Sequence, residues 1–195
     1  MNRNPVLPSL TLSTEPKALR SVDLLVSQTY SGHGFLALDA LPRVALEAAV
    51  CSIDDGFAWA VNTFFDGVAG GEPRLKMNLG LKGQMHLLCQ RCMQPCLVEI
   101  DESRQFVFLA NEALADAFPM ENDALEPLVM DSQFDLLGTI EDEVLLSLPL
   151  IPKHPEGVCQ PAALESGADD SLSQGEPAKK LDNPFNILKN MKKKE

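Results

Sequence analysis

Three of the chain's five cysteines, Cys89, Cys92 and Cys96, lie within eight consecutive residues. The C-x-x-C spacing of Cys89 and Cys92 lets two thiolates from one tight turn bind the same metal ion. A closed structural zinc site needs two more ligands, and His154 and Cys159 form the best pair in the sequence. The spacing therefore predicts a zinc site at Cys89, Cys92, His154 and Cys159, with Cys96 as a substitute ligand.

The cysteines also allow other interpretations. The first ten residues contain two prolines and no apolar stretch, so we expect no signal peptide, reduced thiols and no disulfides. A thioredoxin-like motif would need a helix after the cysteines, but Pro95 and a strand-like segment follow. An iron–sulfur cluster would lack a fourth local ligand. Zinc ligation and unliganded thiols remain the two alternatives.

No arrangement typical of catalysis accompanies the cysteines. His86 lies three residues before Cys89, and in a strand the two side chains would point to opposite faces. The segment 80–83 matches neither of the common phosphate-binding glycine patterns. The sequence therefore predicts a protein that is not an enzyme and has no small-molecule substrate.

The charge is strongly acidic and unevenly distributed. The chain has 28 acidic and 16 basic residues, a net charge of −12, which repels nucleic-acid phosphates and favours basic partners. Ten acidic residues and no Lys or Arg lie between Gln105 and Pro152, whereas six lysines lie within residues 179–195. We expect an acidic docking surface and a separate basic arm; the alternative is a solvated surface with a solubilising tail. The predicted partner-binding residues are Glu141, Asp142, Glu143, Lys189, Lys192, Lys193 and Lys194.

Period-two hydrophobic patterning dominates the middle of the chain. The predicted strands cover residues 6–12, 19–30, 56–65, 75–79, 84–88, 97–109 and 126–130. The pattern predicts an α+β fold with an antiparallel sheet or a partly closed barrel. The cysteine cluster falls at a turn between two of these strands.

The helices are few and short. We predict helices over residues 40–50, with Asp39 as N-cap, and over 111–118. The clearest helix spans 132–148, with Ser132 and Asp135 as a capping box and its three consecutive acids facing solvent. Residues 1–159 are predicted to form a single domain, followed by a disordered linker and a flexible basic tail over 160–195.

Taken in order, the motifs resemble the bacterial large ribosomal RNA subunit accumulation proteins, the YceD-like family. The motifs are Cys89-Gln90-Arg91-Cys92, Phe134-Asp135-Leu136-Leu137, the run from Glu141 to Pro149, Pro152-Lys153-His154 with Cys159, and Asn183-Pro184-Phe185 before the lysine-rich end. The resemblance implies a cytoplasmic, non-catalytic factor that supports synthesis, processing or stability of 23S rRNA and assembly of the large subunit. It supplies no catalytic residues and does not decide whether metal is bound.

The resemblance and the charge distribution together predict the partners. They are pre-50S particles, a basic ribosomal or assembly protein bound by the acidic region 112–143, and 23S rRNA contacted through the C-terminal lysines. No membrane association is expected, because no run of about 18 apolar residues occurs. The alternative function is an acidic binding module or chaperone for one basic ribosomal protein, acting independently of RNA.

Overall fold

The computed structural model describes residues 9–67, 73–119 and 125–159, all of which fall within one compact unit. The strands are β1 (Ser9–Thr11), β2 (Thr29–Ala37), β3 (Gly56–Asp66), β4 (Arg74–Leu88), β5 (Pro95–Leu109) and β6 (Glu126–Val129). The helices are α1 (Pro16–Leu19), α2 (Pro42–Glu47), α3 (Glu112–Asp116) and α4 (Leu136–Ser147), with a 3₁₀ turn at Leu38–Ala40. The predicted domain end, residue 159, is the last of these described residues. The predicted linker and tail over 160–195 lie outside them.

The strands form one six-stranded sheet in the order β1-β2-β3-β4-β5-β6. β2 to β5 are an antiparallel meander, but β1 pairs with β2, and β6 with β5, in parallel. The α+β class is confirmed, whereas the purely antiparallel sheet is wrong, and the described sheet is open rather than a partly closed barrel. Hydrophobic alternation reports which face a strand buries and carries no information on the direction of its partner.

One face of the sheet carries the core. Trp59 and Val61 on β3 lie in register with Leu81 and Leu79 on β4, and all four side chains are buried. Gly34 on β2 lies opposite Trp59, where an added Cβ would come 3.0 Å from the indole Nε1. The missing side chain therefore lets the indole ring lie against the β2 backbone.

The helix α4 packs its apolar side on this core and begins later than predicted. Leu137, Ile140 and Val144 are buried, and the Asp135 side chain accepts a 2.8 Å hydrogen bond from the Gly138 N–H. The predicted capping box at 132 is wrong because Phe134 is extended and exchanges two backbone hydrogen bonds with Val22. A residue used in a bridge to another segment cannot also lie in the first helical turn.

The N-terminal third departs from the predicted elements in two further places. The predicted strand over 19–30 begins at the last residue of α1, Leu19, and its only β-structure is the isolated bridge at Val22 and the first residues of β2. The predicted helix over 40–50 is the shorter α2, and Asp39 lies in the 3₁₀ turn before it. Pro42 occupies the first turn of α2 and disfavours helical geometry at Leu41, so the helix cannot extend back to residue 40.

The predicted strands over 56–65, 97–109 and 126–130 and the predicted helix over 111–118 are confirmed, within small shifts of boundary, as β3, β5, β6 and α3. The two predicted strands over 75–79 and 84–88 are one continuous strand, β4, because residues 80–83 keep their pairing with β3 and β5, so the predicted break after Leu79 is wrong. The cysteine cluster lies, as predicted, at the turn between β4 and β5. None of the helices in the described part of the chain is long and apolar enough to span a bilayer.

Candidate metal centre

The β4–β5 turn presents Cys89 and Cys92 from a tightly hydrogen-bonded loop. The Cys89 N–H donates to the Gln94 carbonyl and the Met93 N–H donates to the Cys89 carbonyl, both at 2.9 Å. Met93 adopts a left-handed conformation, with φ of 57°, which reverses the chain before β5 begins at Pro95. The backbone N–H groups of Arg91 and Cys92 lie close enough to the Cys89 thiol to lower its pKa. This geometry places two thiols on the inner side of one turn.

The loop after α4 supplies the other two predicted ligands. It is attached to the turn by a 3.0 Å hydrogen bond from the Gln90 N–H to the Pro152 carbonyl. Gly157, with φ of 84°, and a hydrogen bond from the Val158 N–H to the Pro155 carbonyl turn the chain back. Cys159 is thereby returned to a buried position beside the turn.

The structure brings the four predicted ligands together. One ligand atom from each of Cys89, Cys92, His154 and Cys159 lies within 4.8 Å of all the others. The Cys89 and Cys159 sulfurs are 3.8 Å apart, and the Cys92 sulfur lies 3.4 Å from His154 Nδ1. Tetrahedral zinc with ordinary bond lengths requires edges of about 3.8 Å between two sulfurs and about 3.5 Å between sulfur and nitrogen. These two distances therefore match two edges of a tetrahedral zinc site, and the other ligand atoms lie within 4.8 Å of one another.

His154 is oriented as a ligand by its second ring nitrogen. Nε2 lies 2.9 Å from the Pro95 carbonyl oxygen, which can only accept, so Nε2 carries the hydrogen and donates. Nδ1 then presents its lone pair towards Cys92. A metal-ligating histidine commonly donates its other N–H to a carbonyl in this way.

The thiols interact strongly in the absence of a cation. Burial raises the pKa of Cys89, but donors from Arg91, His154 and Cys92 outweigh it and lower that pKa to about 5. Burial and the adjacent thiols of Cys92 and Cys89 raise the pKa of Cys159 to about 11. Thiolates this close repel one another, and a divalent cation would relieve that repulsion.

Cys96 and Cys51 lie outside this set of four ligands. Cys96 is buried in the same cysteine cluster, at the start of β5, where burial and the nearby Cys89 and Cys92 raise its pKa. The cluster that could hold a metal ion consists of Cys89, Cys92, His154 and Cys159 and does not include the predicted substitute Cys96. Cys51 is exposed, and no metal-ligand set among the described residues includes it.

The prediction that the three consecutive acids of α4 face solvent is wrong for two of them. Glu141 is 2% and Glu143 is 3% exposed, whereas the Asp142 side chain is 57% exposed. Glu141 accepts a 2.6 Å hydrogen bond from the Arg43 N–H and a 3.2 Å one from Arg43 Nε, so it caps the first turn of α2. Helical periodicity cannot show this partner, which lies 98 residues away in sequence.

Glu143 is buried beside β5 rather than exposed. Its Oε2 lies 3.2 Å from Arg104 Nε. Burial and the nearby Glu126 raise the pKa of Glu143 above its ordinary value, against the opposing effect of Arg104. Of the predicted acidic docking residues, only Asp142 is available at the surface.

The remaining predicted partner-binding residues, Lys189, Lys192, Lys193 and Lys194, lie outside the described residues. A polar pair that the sequence analysis missed lies elsewhere: His86 Nδ1 is 3.0 Å from Oδ1 of the fully buried Asp55. His86 therefore interacts with Asp55, a residue that no local pattern connects with it.

Comparisons with known proteins identify the family. The family model described as "Large ribosomal RNA subunit accumulation protein YceD" matches residues 77–192, which include the four predicted ligands. The curated protein of that name from Haemophilus influenzae is 36% identical over 110 residues, which cover 55% of this chain and 60% of the relative's own length. No solved structure matches. The chain belongs to the family of large ribosomal RNA subunit accumulation proteins, YceD.

Proposed function

We propose that this protein is a cytoplasmic, non-catalytic factor that supports the accumulation of 23S rRNA and thereby the assembly of the large ribosomal subunit. The observation that carries this proposal is the family match over residues 77–192. That range contains the β4–β5 turn and the loop after α4, so the match covers both halves of the candidate metal centre.

We further propose that Cys89, Cys92, His154 and Cys159 hold one zinc ion in a structural role. Four protein ligands complete a tetrahedral shell and leave no position for a substrate or a reactive water. The ion would hold the loop after α4 against the β4–β5 turn. These segments are otherwise joined by the hydrogen bond from the Gln90 N–H to the Pro152 carbonyl and by the one from His154 Nε2 to the Pro95 carbonyl.

The Cys92–His154 contact has the composition of a nucleophile and a base, so a thiol enzyme is the competing interpretation. Two further thiols lie within 4.8 Å of both atoms, which is typical of a ligand set and unusual for a catalytic pair. His154 is also oriented by a carbonyl in the manner of a zinc ligand. The geometry therefore supports the structural role.

The proposed partners are pre-50S particles and 23S rRNA, with the C-terminal lysines as one contact to RNA. A basic ribosomal or assembly protein is the second candidate partner. It is supported by the exposed acids of the region from β5 to α4. Two of them, Asp101 and Asp142, pair with described cations. The exposed acids with no described cation within ion-pair distance are Glu99, Glu102, Glu112, Asp116, Glu126 and Asp131.

Depletion of the protein tests the proposed function. We expect the ratio of 23S to 16S rRNA to fall and to recover when the full-length protein is supplied again. Sedimentation of the same lysates shows whether the protein travels with pre-50S particles or with a free protein partner. An unchanged rRNA ratio, including under slow growth, contradicts the proposal and leaves the RNA-independent chaperone.

A further inference from the structure

We propose that the candidate metal centre is also a site of thiol oxidation, at which Cys89 and Cys159 form a disulfide and release the zinc ion. The inference rests on the zinc ion of the proposed function. It adds an oxidised state of the same site, in which a covalent bond replaces the ion between the β4–β5 turn and the loop after α4. The oxidant is a hydroperoxide, and hydrogen peroxide is the probe.

The first observation is the distance between the two sulfurs. Cys89 Sγ and Cys159 Sγ are 3.8 Å apart. A disulfide bond is about 2.0 Å long, so the sulfurs must approach each other by about 1.8 Å. The two residues lie 70 positions apart in sequence, so the bond would join the turn to the loop directly.

The second observation concerns the attachment of the Cys159 side of this pair. The loop after α4 is bonded to the β4–β5 turn through Pro152 and His154. Both of these residues precede the segment 155–158, in which every residue is exposed. Cys159 follows that segment, so it can move towards Cys89 without breaking either of these bonds. A segment with few buried contacts shifts at a low free-energy cost.

The third observation is the exposure of the two thiols. Cys159 is 7% exposed and Cys89 is 0% exposed, so a small oxidant reaches Cys159 first. Ligation to zinc holds a cysteine as its thiolate, which is the nucleophilic form. Oxidation of a cysteine follows its thiolate character and its exposure. The reaction therefore begins at Cys159 and ends at Cys89.

The atoms and electrons of this reaction balance. The Cys159 thiolate attacks one oxygen of hydrogen peroxide, the O–O bond breaks, and the products are a sulfenic acid and hydroxide. The Cys89 thiolate then attacks the Cys159 sulfur, the S–S bond forms, the S–O bond breaks, and a second hydroxide leaves. The two sulfurs lose two electrons to the peroxide, and two protons convert the hydroxides to water. The ion leaves as Zn²⁺, because only Cys92 and His154 remain of its four ligands.

The disulfide would keep the loop after α4 attached to the turn once zinc has left. A cross-link between residues 70 positions apart also restricts the unfolded chain. We therefore expect the oxidised, zinc-free protein to melt at a higher temperature than the reduced, zinc-free protein.

Peroxide treatment of the full-length, zinc-loaded protein tests the proposal. Every protein in the test carries Cys51→Ser, so that the remaining thiols are the four of the buried cluster. The readouts are zinc release, the number of free thiols and the position of the disulfide in a tryptic digest. Cleavage at Lys and Arg puts Cys89 in peptide 83–91, Cys92 with Cys96 in peptide 92–104, and Cys159 in peptide 154–179.

We expect each chain to release about one zinc ion. It should also lose two of its four thiols and yield peptides 83–91 and 154–179 joined by a disulfide. A thiol reductant with added zinc should reverse all three changes. Cys96→Ser is the matched control and should respond as the parent does, because Cys96 lies in the same buried cluster but outside the ligand set. Cys92→Ser removes a ligand but neither sulfur of the pair, so it should still join the same two peptides.

A disulfide that includes peptide 92–104 overturns the proposal, and so does zinc release through oxidation that a thiol reductant cannot reverse. Treated protein that keeps its zinc and all four thiols also overturns it. Protein isolated without zinc contradicts the proposed zinc ion, and with it the release step, before any peroxide is added. The proposed role in 23S rRNA accumulation is tested separately by the 23S to 16S ratio in depleted cells.

Discussion

Glu141 provides a sharp test of the reasoning, because the sequence and the structure lead to opposite expectations for it. Helical periodicity puts Glu141 at the surface beside Asp142, where removing a carboxylate changes the free energy of unfolding very little. The structure buries Glu141 and makes it the acceptor for the Arg43 N–H in the first turn of α2. No other side chain caps this turn.

The expected magnitude follows from these contacts. Glu141→Ala leaves the Arg43 N–H without its 2.6 Å acceptor. A hydrogen bond to a charged group contributes about 1.5–3 kcal/mol, and loss of a helix cap about 1 kcal/mol, the two overlapping here. We expect Glu141→Ala to lower the free energy of unfolding by about 2–3 kcal/mol. Glu141→Gln keeps an acceptor for the Arg43 N–H, and it should lower the free energy of unfolding by about 1 kcal/mol.

The assay is urea unfolding of the metal-replete protein, with Asp142→Ala as the matched control on the same helix. The control removes an exposed carboxylate that also pairs with Arg43. It should lower the free energy of unfolding by no more than about 0.5–1 kcal/mol. A Glu141→Ala variant as stable as the Asp142→Ala variant refutes the assignment of Glu141 as the cap of α2.

Three further outcomes are expected. Because the pKa of Glu143 is raised on folding, its ionisation destabilises the folded state as pH rises through that pKa. Urea unfolding should therefore show Glu143→Gln gaining stability relative to the parent from acidic to neutral pH; a difference independent of pH contradicts the burial argument. The purified protein should hold about one zinc per chain by elemental analysis. Cys159→Ser should lower this content whereas the exposed Cys51→Ser should not, and equal losses would exclude the proposed ligand set. Gly34→Ala should lower the free energy of unfolding by about 1–3 kcal/mol, because its Cβ would meet the buried indole at 3.0 Å. Gly80→Ala, whose Cβ has its nearest neighbour at 3.9 Å, should be tolerated in the same unfolding assay, and equal effects would refute this packing argument.

The sequence by itself determined the features that depend on residue chemistry and on the periodicity of apolar residues. Alternating apolar residues located β3, β4 and β5, since a half-buried strand must alternate its faces. The C-x-x-C spacing, together with the scarcity of other ligand-type residues, identified His154 and Cys159 as partners for the turn. The structure places all four ligand atoms within 4.8 Å. Thiol and imidazole ligands are rare enough in this chain to be matched by elimination.

Only the tertiary structure decided which segments distant in sequence form backbone hydrogen bonds and ion pairs with one another. Phe134 bonds to Val22, and this bridge delays the start of α4. Glu141 faces Arg43 and not solvent, because α2 packs against α4. A helical wheel treats every polar position as exposed until a partner is known, and the partners here lie about a hundred residues away. The parallel pairing of β1 and β6 also depends on the crossovers from β1 to β2 and from β5 to β6, which the residues of those short strands do not encode.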